Sequence, residues 1–184
     1  MLKVNPKKFT LWLFIVSIVM IFISMTSAYI VKRADLGSTG ELIIFDLPEA
    51  FFYTTILIAL SSLSMHWSYL SARKDELTNI KIGLGITFIL SLTFLAGQWF
   101  SWVQLVDNDV YFVGNAVGSF IYVLTGLHAF HLISGIIFLL IVLISAMKFK
   151  VHSRQMLQIE MCATYWHFLG GLWVYLYVFL SIYN

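Results

Sequence analysis

The sequence is poor in the residues that build disulfide-bonded or thiol-based sites. It contains one cysteine and two prolines, and only 11% of its residues are charged. A single cysteine, Cys162, excludes an internal disulfide, a CxxC redox pair and c-type haem attachment. It equally excludes a thiolate zinc site or a cysteine-ligated dinuclear copper site within the chain. Whatever redox chemistry occurs nearby, this chain brings no thiol ligand set to it.

Acidic residues are scarce in the apolar part of the chain. Of the nine Asp and Glu residues, only Glu160 falls near an apolar stretch long enough to span a membrane. A pump or proton-coupled transporter usually places a carboxylate at mid-membrane to carry the titrating charge. We therefore do not expect this chain to translocate protons alone. The net charge of +2 leaves no basic block for a phosphate backbone, so a nucleic-acid partner is not expected either.

Apolar sequence is what the chain has in abundance. Hydrophobic residues make up 60% of it, and its mean hydropathy is +0.90, which a soluble monomer could not sustain. A helix needs about 20 apolar residues to cross about 30 Å of hydrocarbon. Stretches of that length cover residues 9–31, 50–70, 82–106, 117–147 and 159–183. We predict an all-α, integral membrane bundle of five transmembrane helices in one domain, residues 1–184.

The basic residues predict the orientation of this bundle. Nine of them fall on the side that contains the N-terminus: Lys3, Lys7, Lys8, Arg73, Lys74, Lys81, Lys148, Lys150 and Arg154. Only Lys32 and Arg33 fall on the other side. By the positive-inside rule the N-terminus is cytoplasmic and the C-terminus is periplasmic. The first apolar run is too long for a signal peptide, so we interpret it as a retained helix.

The connections between the spans are short. We predict an outer loop over residues 32–49, which contains Gly37, Gly40 and Pro48, and two turns at residues 74–76 and 107–109. None of these loops is long enough for a soluble catalytic site.

Polar and small residues recur at helical spacing in the last two spans. One face of the fourth span contains Leu124, His128, His131 and Gly135. The matching face of the fifth contains Glu160, Thr164, His167 and Gly171, with Trp166, Gly170, Trp173 and Tyr177 in an adjacent stripe. Glycine lets helices approach closely, and polar side chains then hydrogen-bond across the contact. We expect these faces to pack against each other or against a partner helix.

The histidines of these faces allow two interpretations. His131 lies about 21 Å and His167 about 24 Å below the outer ends of their spans, so the two share a layer. His128 and His131 are then neutral histidines that form hydrogen bonds within the bundle, or His131 and His167 face each other as bis-histidine haem ligands. Glu160 either reaches the interface or forms a buried hydrogen bond with a histidine.

The pattern also resembles a known family. The segment from Thr125 to Gly135 reads TGLHAFHLISG, and Glu160, the run from Tyr165 to Phe168 (YWHF) and Trp173 follow it. Together they resemble subunit III of the haem–copper cytochrome oxidases in its short, five-helix form. Shorter similarities at residues 17–22, 27–29, 47–48, 66–67 and 94–98 extend the resemblance over essentially the whole chain.

The resemblance implies an accessory subunit of a respiratory oxidase in a bacterial inner membrane. Such an enzyme reduces dioxygen to water with electrons from cytochrome c or quinol. Its haem and copper lie in partner subunits, and subunit III binds subunit I, near subunit II, and holds phospholipid in a cleft. No catalytic, cofactor-binding or metal residue is then expected in this chain. The candidates for structural, subunit or lipid contacts are Gln98, His128, His131, Gly135, Glu160, Trp166, His167 and Trp173.

Three departures from the family pattern remove carboxylates. The family usually has glutamate where Ile18 stands, glutamate near Ser101 and aspartate where Gly170 stands, so no role of those acids in proton supply can be transferred to this chain. Two alternative functions remain open from the sequence. One is an accessory subunit of a nitric oxide reductase, and the other is an independent haem b membrane protein that uses His131 and His167.

Overall fold

Five long helices form the described part of the protein. The structure is a computed structural model that describes residues 5–40, 47–114, 116–147 and 156–183. The helices are α1 (Pro6–Thr39), α2 (Ala50–Arg73), α3 (Leu77–Asp107), α4 (Ala116–Met147) and α5 (Met156–Tyr183). Each of them is long and apolar enough to cross a membrane. The predicted all-α, five-span architecture is confirmed, and no strand occurs among the described residues.

The helices extend beyond the apolar runs that predicted them. The largest difference is in α1, which continues through the polar residues 32–39, so the prediction of a loop from residue 32 is wrong over that segment. An ion pair between Lys32 and Asp35 one turn apart (2.7 Å) supports the extension, and the helix ends where Gly40 adopts φ 74°. Hydropathy predicts which residues lie in the hydrocarbon. The helix itself is held by backbone hydrogen bonds and continues into the membrane interface.

α4 and α5 form the centre of the bundle. They pack against each other, α1 packs on both of them, and the α2–α3 hairpin packs on the other side, with α2 against α5 and α3 against α4. In the most apolar segment of each helix, 50% of the residues of α5 are buried, compared with 22% of those of α1. α5 therefore lies deeper in the bundle than α1.

Contacts at both ends show that α1 and α5 run parallel. Lys8, near the start of α1, pairs with Glu160 near the start of α5. Towards the other end, the hydroxyl of Tyr29 donates to the backbone carbonyl of Tyr183 (3.1 Å). The first and last helices therefore begin on the same side of the bundle, as five alternating spans require.

The α2–α3 hairpin is tight. The predicted turn at residues 74–76 is confirmed, and Asp75 adopts the left-handed conformation there, with φ 55°. Farther along the hairpin, the hydroxyl of Ser64 donates to the backbone carbonyl of Gly83 (2.9 Å). Small residues at this contact let the two backbones approach closely. The basic segment from Lys148 to Arg154, which entered the orientation argument, lies outside the described residues.

Candidate functional site

His128 lies where α3, α4 and α5 meet, and it is fully enclosed. Its ring contacts Trp173 of α5, with centroids 5.1 Å apart, and Phe94 of α3, with centroids 6.1 Å apart. Its exposed fraction is 0%, and neither ring nitrogen has a hydrogen-bond partner among the described residues. The expectation that His128 is hydrogen-bonded within the bundle is therefore wrong, because its neighbours on α3 and α5 are aromatic rings.

Trp173 and Gln98 connect this pocket to α2. The indole N–H of Trp173 donates to Thr55 (3.0 Å), and its ring packs edge-on against Phe51, with centroids 5.6 Å apart. The side-chain amide N–H of Gln98 donates to Thr54 (3.1 Å), whereas its carbonyl oxygen has no partner among the described residues. Both side chains are buried, so they hold the helices together from inside.

His131, three residues farther along α4, lies against α1. Its Nδ1 donates to the backbone carbonyl of Leu127 one turn earlier (2.8 Å), which confirms a hydrogen-bonded histidine. Its ring contacts Phe22 and Phe14 of α1, with centroids 5.9 Å and 6.4 Å apart. Because the hydrogen bond of its ring is within one helix, the side chain of His131 contributes to packing between α1 and α4, whereas its backbone carbonyl accepts from the hydroxyl of Tyr165 in α5 (3.4 Å).

α4 and α5 pack against each other at Gly135 and Ser134, as expected, but of the α5 residues that meet α4 there (Tyr165, Trp166 and Leu169) only Trp166 belongs to the predicted stripes. A methyl group on Gly135 would lie 2.7 Å from Cδ1 of Leu169 and 3.5 Å from the Trp166 ring, so only glycine fits without displacement. At the preceding residue of α4, the hydroxyls of Ser134 and Tyr165 are 2.8 Å apart. The close approach and the hydrogen bond occur together here, whereas His167 of the predicted α5 face contacts α2 instead.

Glu160 forms an ion pair with Lys8 at the end of the bundle. Its carboxylate lies 2.6 Å from Nζ of Lys8, and the two side chains are 40% and 38% exposed. Of the two interpretations of Glu160, the structure supports the interfacial one, since the described partner is a lysine and not a histidine.

Two neighbouring residues of α5 contact two neighbouring serines of α2. The indole N–H of Trp166 donates to Ser61 (2.8 Å), and Nδ1 of His167 forms a short hydrogen bond with the hydroxyl of Ser62. The ring of His167 also faces His66 of α2, with centroids 5.8 Å apart. Trp166 is buried and His167 is half-buried, so the first contact lies inside the bundle and the second lies at its surface.

The second contact forms one wall of a cleft. The cleft lies between α2 and α5 and has a volume of about 490 Å³. Its polar wall consists of Ser62, His66 and His167, and its apolar walls include Ile58 and Val174. Among the described residues, no hydrogen bond is made by either ring nitrogen of His66. The cleft therefore combines apolar walls with convergent polar groups, as small-molecule sites do.

The helix bounds agree with the prediction that His131 and His167 lie at a common depth in the membrane. His131 is about 1 Å and His167 about 4 Å from the midpoints of α4 and α5. The two rings nevertheless contact different helices, α1 and α2, so the structure does not bring them together as a haem pair. Within the described residues, no group of three or more His, Cys, Asp or Glu side chains could hold a metal ion.

The polar residues of α2 were not among the contact residues predicted from the sequence. Thr54, Ser61 and Ser68 recur seven residues apart on its buried face, and Ser62 and His66 follow on the adjacent stripe. These residues supply partners for side chains of α3 and α5. The seven-residue recurrence of small hydroxyl side chains was the available signal, because such a stripe is typical of a helix that packs closely in a membrane bundle.

Comparison with known proteins agrees with this arrangement. The family described as cytochrome c oxidase subunit III matches residues 4–184 of the chain. The chain belongs to the cytochrome c oxidase subunit III family. The resemblance in the sequence is thereby confirmed, and the five helices and the family together indicate a multi-pass membrane protein.

Individual members of the subunit III family match at modest identity. Cytochrome c oxidase subunit 3 of Rattus norvegicus is 32% identical over 93% of this chain. The protein of the same name from Corynebacterium diphtheriae is 27% identical over 72% of the chain. The chain spans 66% of the length of the first relative and 64% of that of the second. Cytochrome bo(3) ubiquinol oxidase subunit 3 of Buchnera aphidicola is 28% identical, and the match covers 97% of this chain and 94% of that protein.

The three positions at which the sequence resemblance implied missing acids lie in different surroundings. Ile18 is buried in α1, between the two phenylalanines that contact His131. Ser101 is buried in α3, and its hydroxyl donates to the backbone carbonyl of Gly97 (2.9 Å). Gly170 lines the cleft between α2 and α5. The three substitutions therefore do not form one connected polar route.

Proposed function

We propose that this chain is the non-catalytic subunit III of a respiratory haem–copper terminal oxidase, where it stabilises subunit I and binds phospholipid. The observation that carries the proposal is the family match from residue 4 to residue 184. The oxidase reduces dioxygen to water, and the relatives include subunits of both cytochrome c and ubiquinol oxidases. Haem and copper belong to the partner subunits in this proposal, and no residue of this chain is given a catalytic role.

The distribution of polar side chains supports a scaffolding role. The polar atoms of Trp166, Trp173 and His131 form hydrogen bonds inside the bundle. The outward side chains are largely apolar, as at Phe130 and Leu63, each 68% exposed. Such a surface suits contact with lipid chains or with the helices of another membrane subunit. We expect subunit I to be the main partner, with subunit II and further subunits in the same complex.

We further propose that the protein lies in a bacterial inner membrane with its N-terminus in the cytoplasm. Among the described residues, Lys7, Lys8, Arg73, Lys74 and Lys81 lie at the end of the bundle where α1 begins. An alkaline phosphatase domain fused to the C-terminus should then be active, and a green fluorescent protein fused there should stay dark. The reverse result would contradict this orientation.

The decisive experiment is purification of the tagged chain from its native membrane in a mild detergent. We expect subunit I to co-purify, together with haem absorption bands and oxygen-consuming activity. An unrelated multi-pass protein with the same tag, purified in parallel, is the control. Co-purification of a nitric oxide reductase instead would support that alternative function. One haem per chain in the isolated subunit would support the haem b alternative and contradict the proposal.

A further inference from the structure

The cleft between α2 and α5 opens to the outside of the bundle at the depth of the hydrocarbon. Leu63 and His66 of α2 and Gly171 and Val174 of α5 are exposed along its edge. Its volume of about 490 Å³ is within the range of small-molecule sites. A lipid-soluble molecule could therefore enter it sideways from the bilayer.

The depth of its polar wall excludes a phospholipid headgroup as the group that the wall recognises. His167 lies about 4 Å from the midpoint of α5, and His66 lies about 7 Å from the midpoint of α2. The charged headgroups of a bilayer lie outside the hydrocarbon, which extends about 15 Å on each side of its centre. The histidines are therefore too deep to bind phosphate, although acyl chains reach this depth.

The chemistry of the wall favours a neutral ligand that accepts hydrogen bonds. No Lys, Arg, Asp or Glu is among the described residues that line the cleft. A neutral imidazole has one N–H donor. When the Ser62 hydroxyl donates to Nδ1 of His167, the proton of that ring is on Nε2, so His167 and His66 each offer an N–H. A carbonyl oxygen is the complementary group in a molecule that dissolves in hydrocarbon.

We propose that this cleft binds an isoprenoid quinone. One carbonyl of the headgroup accepts hydrogen bonds from His66 and His167, and the flat ring lies against the wall formed by Gly170 and Gly171, where there is room for it. A methyl group on Gly171 would meet no atom within 4 Å. The isoprenoid tail extends along apolar side chains such as Ile58 into the bilayer.

This inference goes beyond the proposed function and does not depend on it. The cleft is built from α2 and α5 of one chain, so it is complete without subunit I. It concerns binding only, and no electron transfer is assigned to the site. Failure to bind quinone would leave the proposed subunit role unaffected, and failure to co-purify with an oxidase would leave the quinone site unaffected.

The test is equilibrium binding of radiolabelled decylubiquinone to the purified full chain in lipid nanodiscs. We expect saturable binding at one site per chain. The carbonyl stretch of a ¹³C-labelled quinone should shift to lower frequency as it becomes hydrogen-bonded. His66→Phe and His167→Phe should each weaken binding about five- to tenfold, the effect of losing one hydrogen bond of about 1 to 1.4 kcal/mol. His66 makes ring contacts but no hydrogen bond within the described residues, so we expect its replacement by another aromatic ring to preserve the fold.

The matched control is His128→Phe, which makes the same change in a histidine that the cleft does not contain. Its affinity should equal that of the wild type. Three results would overturn the proposal: no saturable binding, equal affinity in the His66 and His128 variants, or displacement of the quinone by phospholipid in proportion to its concentration.

Discussion

His128 and His167 lie in adjacent helices, yet their surroundings differ completely. His128 is enclosed by the rings of Phe94 and Trp173 and has no hydrogen-bond partner among the described residues. His167 is half-buried, is bonded to Ser62 and lines an open cleft. The comparison shows that a histidine inside a membrane bundle can serve as a packing ring or as a polar contact. The neighbouring helix decides between the two.

The difference has an energetic consequence. A buried polar atom without a partner costs about 1–3 kcal/mol, whereas a hydrogen bond between membrane helices contributes about 0.6–2 kcal/mol. Replacing His128 by an apolar ring should therefore raise the free energy of unfolding, whereas replacing His167 should lower it. The predictions below test this contrast, beginning with the largest expected effect.

Removing an aromatic ring that encloses His128 should have the largest effect on the stability of the protein. Trp173→Ala deletes the ring that contacts His128, Phe94 and Phe51, and it leaves a cavity in the centre of the bundle. We expect the free energy of unfolding to fall by about 3–5 kcal/mol, measured by titration of the purified protein with a denaturing detergent. The control is Trp99→Ala, since Trp99 is 66% exposed. Equal losses in the two variants would show that Trp173 does not enclose the pocket.

Substituting His128 while keeping a ring should stabilise the protein. His128→Phe removes two nitrogens that have no partner among the described residues and preserves the ring contacts. We expect a gain of about 1–2 kcal/mol in the free energy of unfolding in the same assay. His131→Phe is the control, because it breaks a hydrogen bond with the carbonyl of Leu127. A loss in His128→Phe would mean that the ring has a polar partner in solution.

The contact of His167 should appear as a coupling energy with Ser62. In a double-mutant cycle of Ser62→Ala and His167→Phe, we expect the two effects to be non-additive by about 0.6–1.7 kcal/mol. The matched cycle of Ser62→Ala with His128→Phe should be additive, because these residues share no contact among those described. If both cycles were additive, the two histidines would not differ in the way the structure shows.

The smallest effect is expected at the exposed ion pair. Glu160→Gln breaks its contact with Lys8, and both side chains are more than a third exposed, so the loss of stability should stay below about 1 kcal/mol. In an assembled oxidase reconstituted into vesicles, the proton-to-electron ratio should not change. A large fall in that ratio would contradict the structural role of Glu160 and would place it on a proton route.

Several features of the site could be predicted from the sequence because they depend on one helix or on one pattern. The close approach of a neighbouring helix at Gly135 followed from glycine in a polar stripe, although its contact with Leu169 did not, and the layer shared by His131 and His167 followed from counting residues. The partners of the histidines could not be predicted, because spacing along one helix does not specify which neighbour it faces. The Thr and Ser residues of α2 illustrate this, since their importance depends on α3 and α5.

The sequence by itself determined the environment and the five-helix class of this protein, because the number and length of apolar runs follow directly from the thickness of a bilayer. It also determined the family, through the pattern of residues 125–135 and 165–173. Only the tertiary structure decided that His128 is enclosed by rings, that His131 faces α1 and that His167 faces α2 across a cleft. The physical reason is that a helix presents side chains in every direction, and the packing of its neighbours selects which of them meet.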